Sequence, residues 1–218
     1  MKIYIDSSDI KEIKEINKTK LVDGITTNPS LIAKQNKDIK TILKEICKEI
    51  KGPVSAEVTA TDYLGMLREA KVLKKIAKNI VIKLPLTFDG LMACSELSKK
   101  GIKTNVTLCF SVTQALLAAK CGATFISPFI GRLDDIGQSG VKLISDIRKV
   151  FDNYKNLKTQ ILSASIRTTE HIKSVAIAGS DIATIPPKIF HEMYKHDLTE
   201  KGLKIFLDDW KKTNQKIS

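Results

Sequence analysis

Lys83 stands in the run Ile80-Val81-Ile82-Lys83-Leu84-Pro85, among β-branched and other apolar residues. A lysine in such a run is poorly solvated. Burial disfavours its ammonium form, and a neutral amine attacks carbonyl carbon to form a Schiff base. An edge lysine whose ammonium snorkels to water fits the same window. Glu57, in Val54-Ser55-Ala56-Glu57-Val58, shares a strand face with Ser55 by alternation. A carboxylate turned into a core needs a partner or a task. Asp6 ends the apolar segment Lys2–Asp6. It reads either as a helix cap, together with Ser7 and Ser8, or as a general acid–base. Asn105 and Thr107 lie two apart and share a face. Asn28 sits in Gly24-Ile25-Thr26-Thr27-Asn28-Pro29-Ser30, where Pro29 stiffens the chain before a helix; a simple turn also accounts for this block. Two of only four arginines close or follow polar blocks: Arg132 ends Ser127-Pro128-Phe129-Ile130-Gly131-Arg132, and Arg167 follows Ser163-Ala164-Ser165-Ile166. A planar guanidinium suits phosphate oxygens, and a serine hydroxyl or backbone amide completes such a cradle.

These residues can act together only if the fold brings them to one place. Eight short apolar segments read as strands: Lys2–Asp6, Leu21–Thr26, Val54–Thr59, Ile80–Leu84, Lys103–Leu108, Thr124–Pro128, Lys158–Ala164 and Ile182–Ile185. Between them run amphipathic stretches at i, i+3, i+4, i+7 spacing: Ile39, Ile42, Leu43, Ile46 and Ile50; Met66, Ala70, Leu73 and Ala77; Leu143, Ile144, Ile147 and Val150. A last stripe, Leu203, Phe206, Leu207 and Trp210, predicts a C-terminal helix over about 199–214. Strand–helix alternation from end to end argues for α/β with a parallel sheet. An open doubly wound sheet competes, but eight repeats in a chain of this length fit a single-domain (β/α)8 TIM barrel over residues 1–218. In a barrel the ends of the strands converge on one rim, where function resides. Lys83, Asp6, Glu57, Asn28, Asn105, Thr107, Ser127, Arg132, Ser165 and Arg167 would then share that rim. That set suits Schiff-base chemistry on a phosphorylated carbonyl compound.

Composition narrows the alternatives. The 218 residues are 43% hydrophobic and 28% charged, an ordinary globular balance. No run approaches the roughly 18–20 apolar residues of a membrane helix, and no signal-peptide core follows Met1. The four cysteines form no Cys-x-x-Cys pair, so a reducing, cytoplasmic setting is expected. The formal charge is +12, but its lysines spread over helix faces without an aromatic-interleaved basic segment. A solvated surface explains them better than nucleic-acid binding. There is no P-loop and no Gly-x-Gly-x-x-Gly. His191 and His196, five apart, would face about 140° from each other on one helix and could not share a metal.

The motifs Tyr4-Ile5-Asp6-Ser7, Gly24-Ile25-Thr26-Thr27-Asn28-Pro29-Ser30, Val81-Ile82-Lys83-Leu84-Pro85, Asn105-Val106-Thr107-Leu108, Ser127-Pro128-Phe129-Ile130-Gly131-Arg132 and Ser163-Ala164-Ser165 together resemble the transaldolase family, in its short single-domain branch that includes fructose-6-phosphate aldolase. The resemblance implies a (β/α)8 barrel and ketol transfer with neither metal nor organic cofactor. It implies a dihydroxyacetone unit passed from sedoheptulose 7-phosphate to glyceraldehyde 3-phosphate, giving erythrose 4-phosphate and fructose 6-phosphate, in the non-oxidative pentose phosphate pathway. Lys83 matches the Schiff-base lysine and Asp6 the acid at the scissile bond. Glu57 and Thr107 match the pair that holds a water. Asn28 and Asn105 match hydroxyl-orienting amides, with Ser127 near the lysine. Arg132 and Ser165 match the phosphate site, with Arg167 as a third member. The aldolase carries glutamine and tyrosine where this chain has Glu57 and Phe129, which favours transaldolase over release of free dihydroxyacetone. The branch also implies sugar phosphate substrates and a homo-oligomer, a pentamer or decamer, whose C-terminal helix reaches a neighbour. The stripe ending at Trp210 fits that role or closure of its own barrel.

Overall fold

A computed structural model of the protein describes residues 1–217. Its eight strands are β1 (Lys2–Asp6), β2 (Gly24–Thr26), β3 (Val54–Glu57), β4 (Ile80–Pro85), β5 (Thr104–Cys109), β6 (Phe125–Pro128), β7 (Gln160–Ser163) and β8 (Ile182–Ile185). All neighbours are parallel, and β8 pairs back onto β1 from Lys2↔Ile182 to Ile5↔Ile185, closing the barrel. Closure leaves no sheet edge, so a strand as short as β2 is held from both sides.

Eleven helices are described around it: α1 (Ile10–Asn17), α2 (Pro29–Ala33), α3 (Ile39–Glu49), α4 (Tyr63–Lys74), α5 (Phe88–Lys99), α6 (Val112–Lys120), α7 (Ile130–Asp134), α8 (Gly140–Asp152), α9 (Thr169–Ile177), α10 (Pro187–Glu192) and α11 (Asp197–Lys212). The apolar stripes do what their spacing requires. Ile42, Leu43, Ile46 and Cys47 of α3 and Leu143, Ile144, Ile147 and Phe151 of α8 are buried, joining one core with the outward-facing residues of the strands. Inside the barrel Tyr4, Val81, Phe125, Leu162 and Ile182 form a separate apolar plug. Below it lies the N-terminal mouth; above it, the C-terminal rim.

Several strands are shorter than their apolar runs. Leu21 and Val22 precede β2 rather than belong to it, and at Asp23 the exposed carboxylate accepts the Ile3 N–H through Oδ2 at 2.8 Å. Helix α11 differs from the other long helices. None of its residues is buried, and Leu198, Leu203, Ile205, Phe206, Leu207 and Trp210 are exposed. The stripe at 203, 206, 207 and 210 therefore does not close its own barrel.

Candidate active site

A cavity of about 160 Å³ opens at the C-terminal rim, lined by residues from the ends of seven strands and the loops after them, among them Asp6, Thr26, Asn28, Lys83, Thr107, Ser127 and Thr184. Lys83 rises from β4 with 5% of its surface exposed. Glu57 on β3 is its registered neighbour across the ladder. Its Oε2 lies 2.9 Å from the lysine Nζ, which also donates to the Thr27 carbonyl at 3.1 Å. The snorkelling alternative is excluded: the ammonium turns into the barrel. Breaking such a buried pair by removing one partner strands the other charge, so each residue constrains the other. Glu57 also lines a second groove of about 350 Å³ beside α4, so its carboxylate stands between that groove and Lys83.

Asp6 is not a cap. Asp9 caps α1, accepting from the Lys11 and Glu12 N–H groups, and Ser7 and Ser8 are engaged with Glu12 and the Leu31 carbonyl. This leaves the Asp6 carboxylate in the cavity, where Oδ1 accepts from Thr26 Oγ1 at 2.7 Å. Thr26 Oγ1 also meets Thr184 Oγ1 at 2.6 Å. Burial raises the Asp6 carboxyl above the usual carboxylate range. The Lys83 ammonium and the Thr26 hydrogen bond pull it back without offsetting burial, and the Glu57 carboxylate adds to the rise. Thr26 and Thr184 escaped the sequence reading. The signal for Thr184 was a lone hydroxyl in Ile182-Ala183-Thr184-Ile185, on the alternation that also sets Ile182 in the barrel plug.

On β5, Thr107 Oγ1 is buried without a hydrogen-bond partner among the described residues. The residue after it, Leu108, has φ +61, and the β5–β6 register shifts between Val106 and Cys109. A left-handed leucine costs on the order of 1–3 kcal/mol, and such strain with a register shift re-aims side chains at a strand end. Asn105, one layer lower, is fully buried and does not line the cavity. Its Oδ1 accepts from Ser127 Oγ at 2.7 Å and its Nδ2 donates to Ser55 Oγ at 3.1 Å, so it braces the Ser127 hydroxyl from beneath the cavity. Asn28 is the N-cap of α2, with Oδ1 accepting from Leu31 N–H at 2.9 Å and Pro29 in the first turn. The cap orients the side chain at the rim.

The opposite wall carries the anion-suited groups. Arg132 projects from α7 with its guanidinium 4.8 Å from the Phe129 ring centroid. Ser165 lines the same wall at φ +59 and accepts the Gly131 N–H through its carbonyl at 3.1 Å. That approach requires glycine: a Cβ at 131 would lie 2.6 Å from Ser165 O and 2.5 Å from Arg167 Nε. Arg167 is placed differently from expectation. It does not line the cavity, and its guanidinium forks onto both carboxylate oxygens of Asp135, holding that carboxyl below the usual range. His191 lies on α10, whereas His196 is the N-cap of α11, so they never share a helix. Among the described residues no three His, Cys, Asp or Glu side chains are grouped to hold a metal ion, and no helix is long and apolar enough to cross a membrane.

The arrangement offers an amine with a carboxylate on it, a second carboxyl poised to exchange a proton, and an anion-suited wall opposite. Comparison with known proteins places the whole chain among relatives. Residues 3–217 match the model of the family described as Transaldolase/Fructose-6-phosphate aldolase. Proteins named probable transaldolase from Bartonella tribocorum and Brucella anthropi are each 59% identical over 218 residues, covering all of both chains. One from Rhizobium meliloti is 58% identical over the same span.

Proposed function

The chain belongs to the transaldolase/fructose-6-phosphate aldolase family, an assignment that supports an enzyme of the transaldolase or aldolase type, and from it we propose a transaldolase that carries a dihydroxyacetone unit between sugar phosphates on Lys83. The observation that carries this reading is the pairing of Lys83 Nζ with Glu57 at 2.9 Å beside a half-buried carboxyl, Asp6, whose proton affinity is raised. Glu57 is placed to take the ammonium proton. The free amine then adds to the ketone of a ketose phosphate, and the carbinolamine loses water, which the Glu57 carboxylate and the unpartnered Thr107 hydroxyl are suited to hold. The protonated imine is an electron sink. Asp6 takes the proton of the hydroxyl on the far side of the scissile carbon–carbon bond, that bond breaks, and an aldose phosphate leaves. The three-carbon enamine stays on Lys83 and attacks an incoming aldehyde phosphate, to which Asp6 returns the proton. Water then hydrolyses the imine and frees the new ketose phosphate.

Arg132 and Ser165 are suited to hold the phosphate of either partner, and Asn28, with Asn105 through Ser127, to orient the hydroxyls of the three-carbon unit. Phe129 favours transfer over release. Its ring lies edge-on to Phe110 at 5.8 Å and has no hydroxyl to position a water that would protonate the enamine. The substrates named above, the cytoplasmic setting and the pathway follow from the same reading. So does self-association: the exposed stripe of α11 is suited to another copy of the chain.

Borohydride reduction with fructose 6-phosphate, read by peptide mass spectrometry, tests the proposal. A reduced dihydroxyacetone adduct on Lys83 is expected, and its absence from folded protein would sink the Schiff-base reading. Without an acceptor, little free dihydroxyacetone should appear. Steady release would make the protein the hydrolytic aldolase instead.

A further inference from the structure

The strand alternation that carries Asp6 and Thr107 to the C-terminal rim has a counterpart at the other end of the barrel. Along β1, Lys2, Tyr4 and Asp6 share the interior face; Lys103, just before β5, continues the face of Asn105 and Thr107; Lys158, two residues before β7, continues the face of Gln160. The first interior layer therefore holds three lysines, Lys2, Lys103 and Lys158, around one cavity of about 240 Å³. The apolar plug separates this cavity from the one at Lys83.

The three lysines are solvent-exposed around this mouth, and like charges that line one cavity repel each other in part, with water screening them. Among the described residues none of the three makes an ion pair. One carboxylate lines the cavity, Asp23, and its Oδ2 is already committed to the Ile3 N–H. The floor is Tyr4, only 1% exposed, whose hydroxyl has no hydrogen-bond partner among the described residues. Burial and the Asp23 carboxylate both push up the phenol, so it remains a donor. The seat of its ring is built: the ring packs edge-on to Phe125 at 6.2 Å, and a Cβ at Gly24 would come within 2.6 Å of its Cζ. Cations lining the mouth over a protonated hydroxyl that reaches it suit a compact anion.

We propose that the N-terminal mouth of the barrel is a second anion site, in which Lys2, Lys103 and Lys158 hold a phosphate or diphosphate group over the Tyr4 hydroxyl. The site is distinct from the Arg132 wall and independent of the chemistry at Lys83. Its ligand class is a small phosphorylated compound or inorganic polyphosphate; the cavity is too small to enclose a bulky base or sugar chain as well as the anion.

Calorimetric titration with inorganic pyrophosphate tests it on four full-length proteins: the parent chain, Lys103→Met/Lys158→Met, Arg132→Ala, and a charge-matched control, Lys211→Met/Lys212→Met on α11. Pyrophosphate binding to Arg132→Ala and to the control is expected, with at least about tenfold weaker binding in the Lys103/Lys158 variant; losing two charge-assisted contacts warrants that size. Pyrophosphate should also raise Tm in Arg132→Ala and not in Arg132→Ala that also carries Lys103→Met/Lys158→Met. If the Met variant does not fold, Lys103→Gln/Lys158→Gln takes its place. Tyr4→Phe should weaken binding severalfold with its circular dichroism unchanged. Equal affinity in the Lys103/Lys158 variant and the control would reduce the effect to general positive charge and overturn the site. Loss of all binding in Arg132→Ala would overturn it too, by placing the anion at the rim.

Discussion

The cavity at the C-terminal rim and helix α11 break the ordinary rule of burial in opposite directions. The rim withdraws what water normally keeps: the ammonium of Lys83, the amide of Asn105 and the orphan hydroxyl of Thr107 are buried, and the carboxyl of Asp6 is half-buried. Helix α11 exposes what water normally rejects, with Phe206 74% exposed and Leu203, Leu207 and Trp210 on the same face. Buried polar groups and exposed large apolar groups are the informative exceptions in a folded chain. At the rim every exception but the Thr107 hydroxyl is tied to other groups by distances of 2.6–3.1 Å, so these polar groups are mutually constrained. On α11 the apolar groups touch little of their own chain. The first pattern calls for a small polar molecule that completes a hydrogen-bond network, and the second for an apolar surface.

The sharpest way to break the comparison is at Lys83. Lys83→Met should lower transfer between sugar phosphates by roughly 10⁴-fold or more, since a covalent nucleophile has no substitute. Circular dichroism should be unchanged. Transfer retained in a coupled assay would remove Lys83 from the chemistry. Asp6→Asn comes next, at about 10²–10⁴-fold, the usual range for a general acid–base. It also tests the electrostatics through stability. The folded Asp6 carboxyl binds its proton more tightly than the unfolded one, so the folded state loses stability as pH rises through its elevated value. The penalty is present at neutral pH and vanishes as pH falls below the ordinary carboxylate range. Asp6→Asn should therefore raise Tm at neutral pH, and the gain should shrink on acidification. A gain independent of pH would mean that Asp6 is not buried as a charge.

The other half of the comparison predicts a change of assembly and not of chemistry. Leu203→Ser/Phe206→Ser should shift the protein toward its chain mass of 24.2 kDa in sedimentation. Each apolar side chain withdrawn from water is worth about 1.5–3 kcal/mol, so two polar replacements suffice to dissolve a modest contact. The barrel should keep its Tm as a monomer, because no residue of α11 is buried in it. An unchanged sedimentation mass would mean that the stripe serves something other than self-association.

How far each region was legible follows from the range of the forces that built it. Period-two and period-3.6 patterning is local, so the eight strands and the stripes of α3 and α8 could be read directly, as could the shared faces of Glu57 with Ser55 and Asn105 with Thr107. Partners across the barrel could not. Nothing near Asp6 announces that Asp9 takes the cap, or that Thr26 and Thr184, 158 residues apart, meet at 2.6 Å beneath the carboxyl. Arg167 carries the right chemistry in the right loop, yet Asp135, from the segment after α7, takes its guanidinium. The α11 stripe was legible as amphipathic, but a stripe does not say which chain it faces.

Thr107 carries the smallest and most discriminating test. Its hydroxyl is buried without a partner, which costs the folded chain on the order of 1–3 kcal/mol unless water or substrate meets it. Valine has nearly the same shape and no hydroxyl. If the hydroxyl braces the fold, Thr107→Val should lower Tm. If it is held for the water of imine formation and hydrolysis, Thr107→Val should leave Tm unchanged or slightly higher and slow turnover by about tenfold, the loss of one hydrogen bond of roughly 1.4 kcal/mol. The slowing should fall on formation and hydrolysis of the Lys83 adduct, followed by the rate of borohydride trapping, and not on carbon–carbon cleavage. Lower Tm with normal trapping kinetics would return Thr107 to the core, and the buried polar groups of the rim would then extend no further than the Asp6, Glu57 and Lys83 charges and their hydrogen-bonded neighbours.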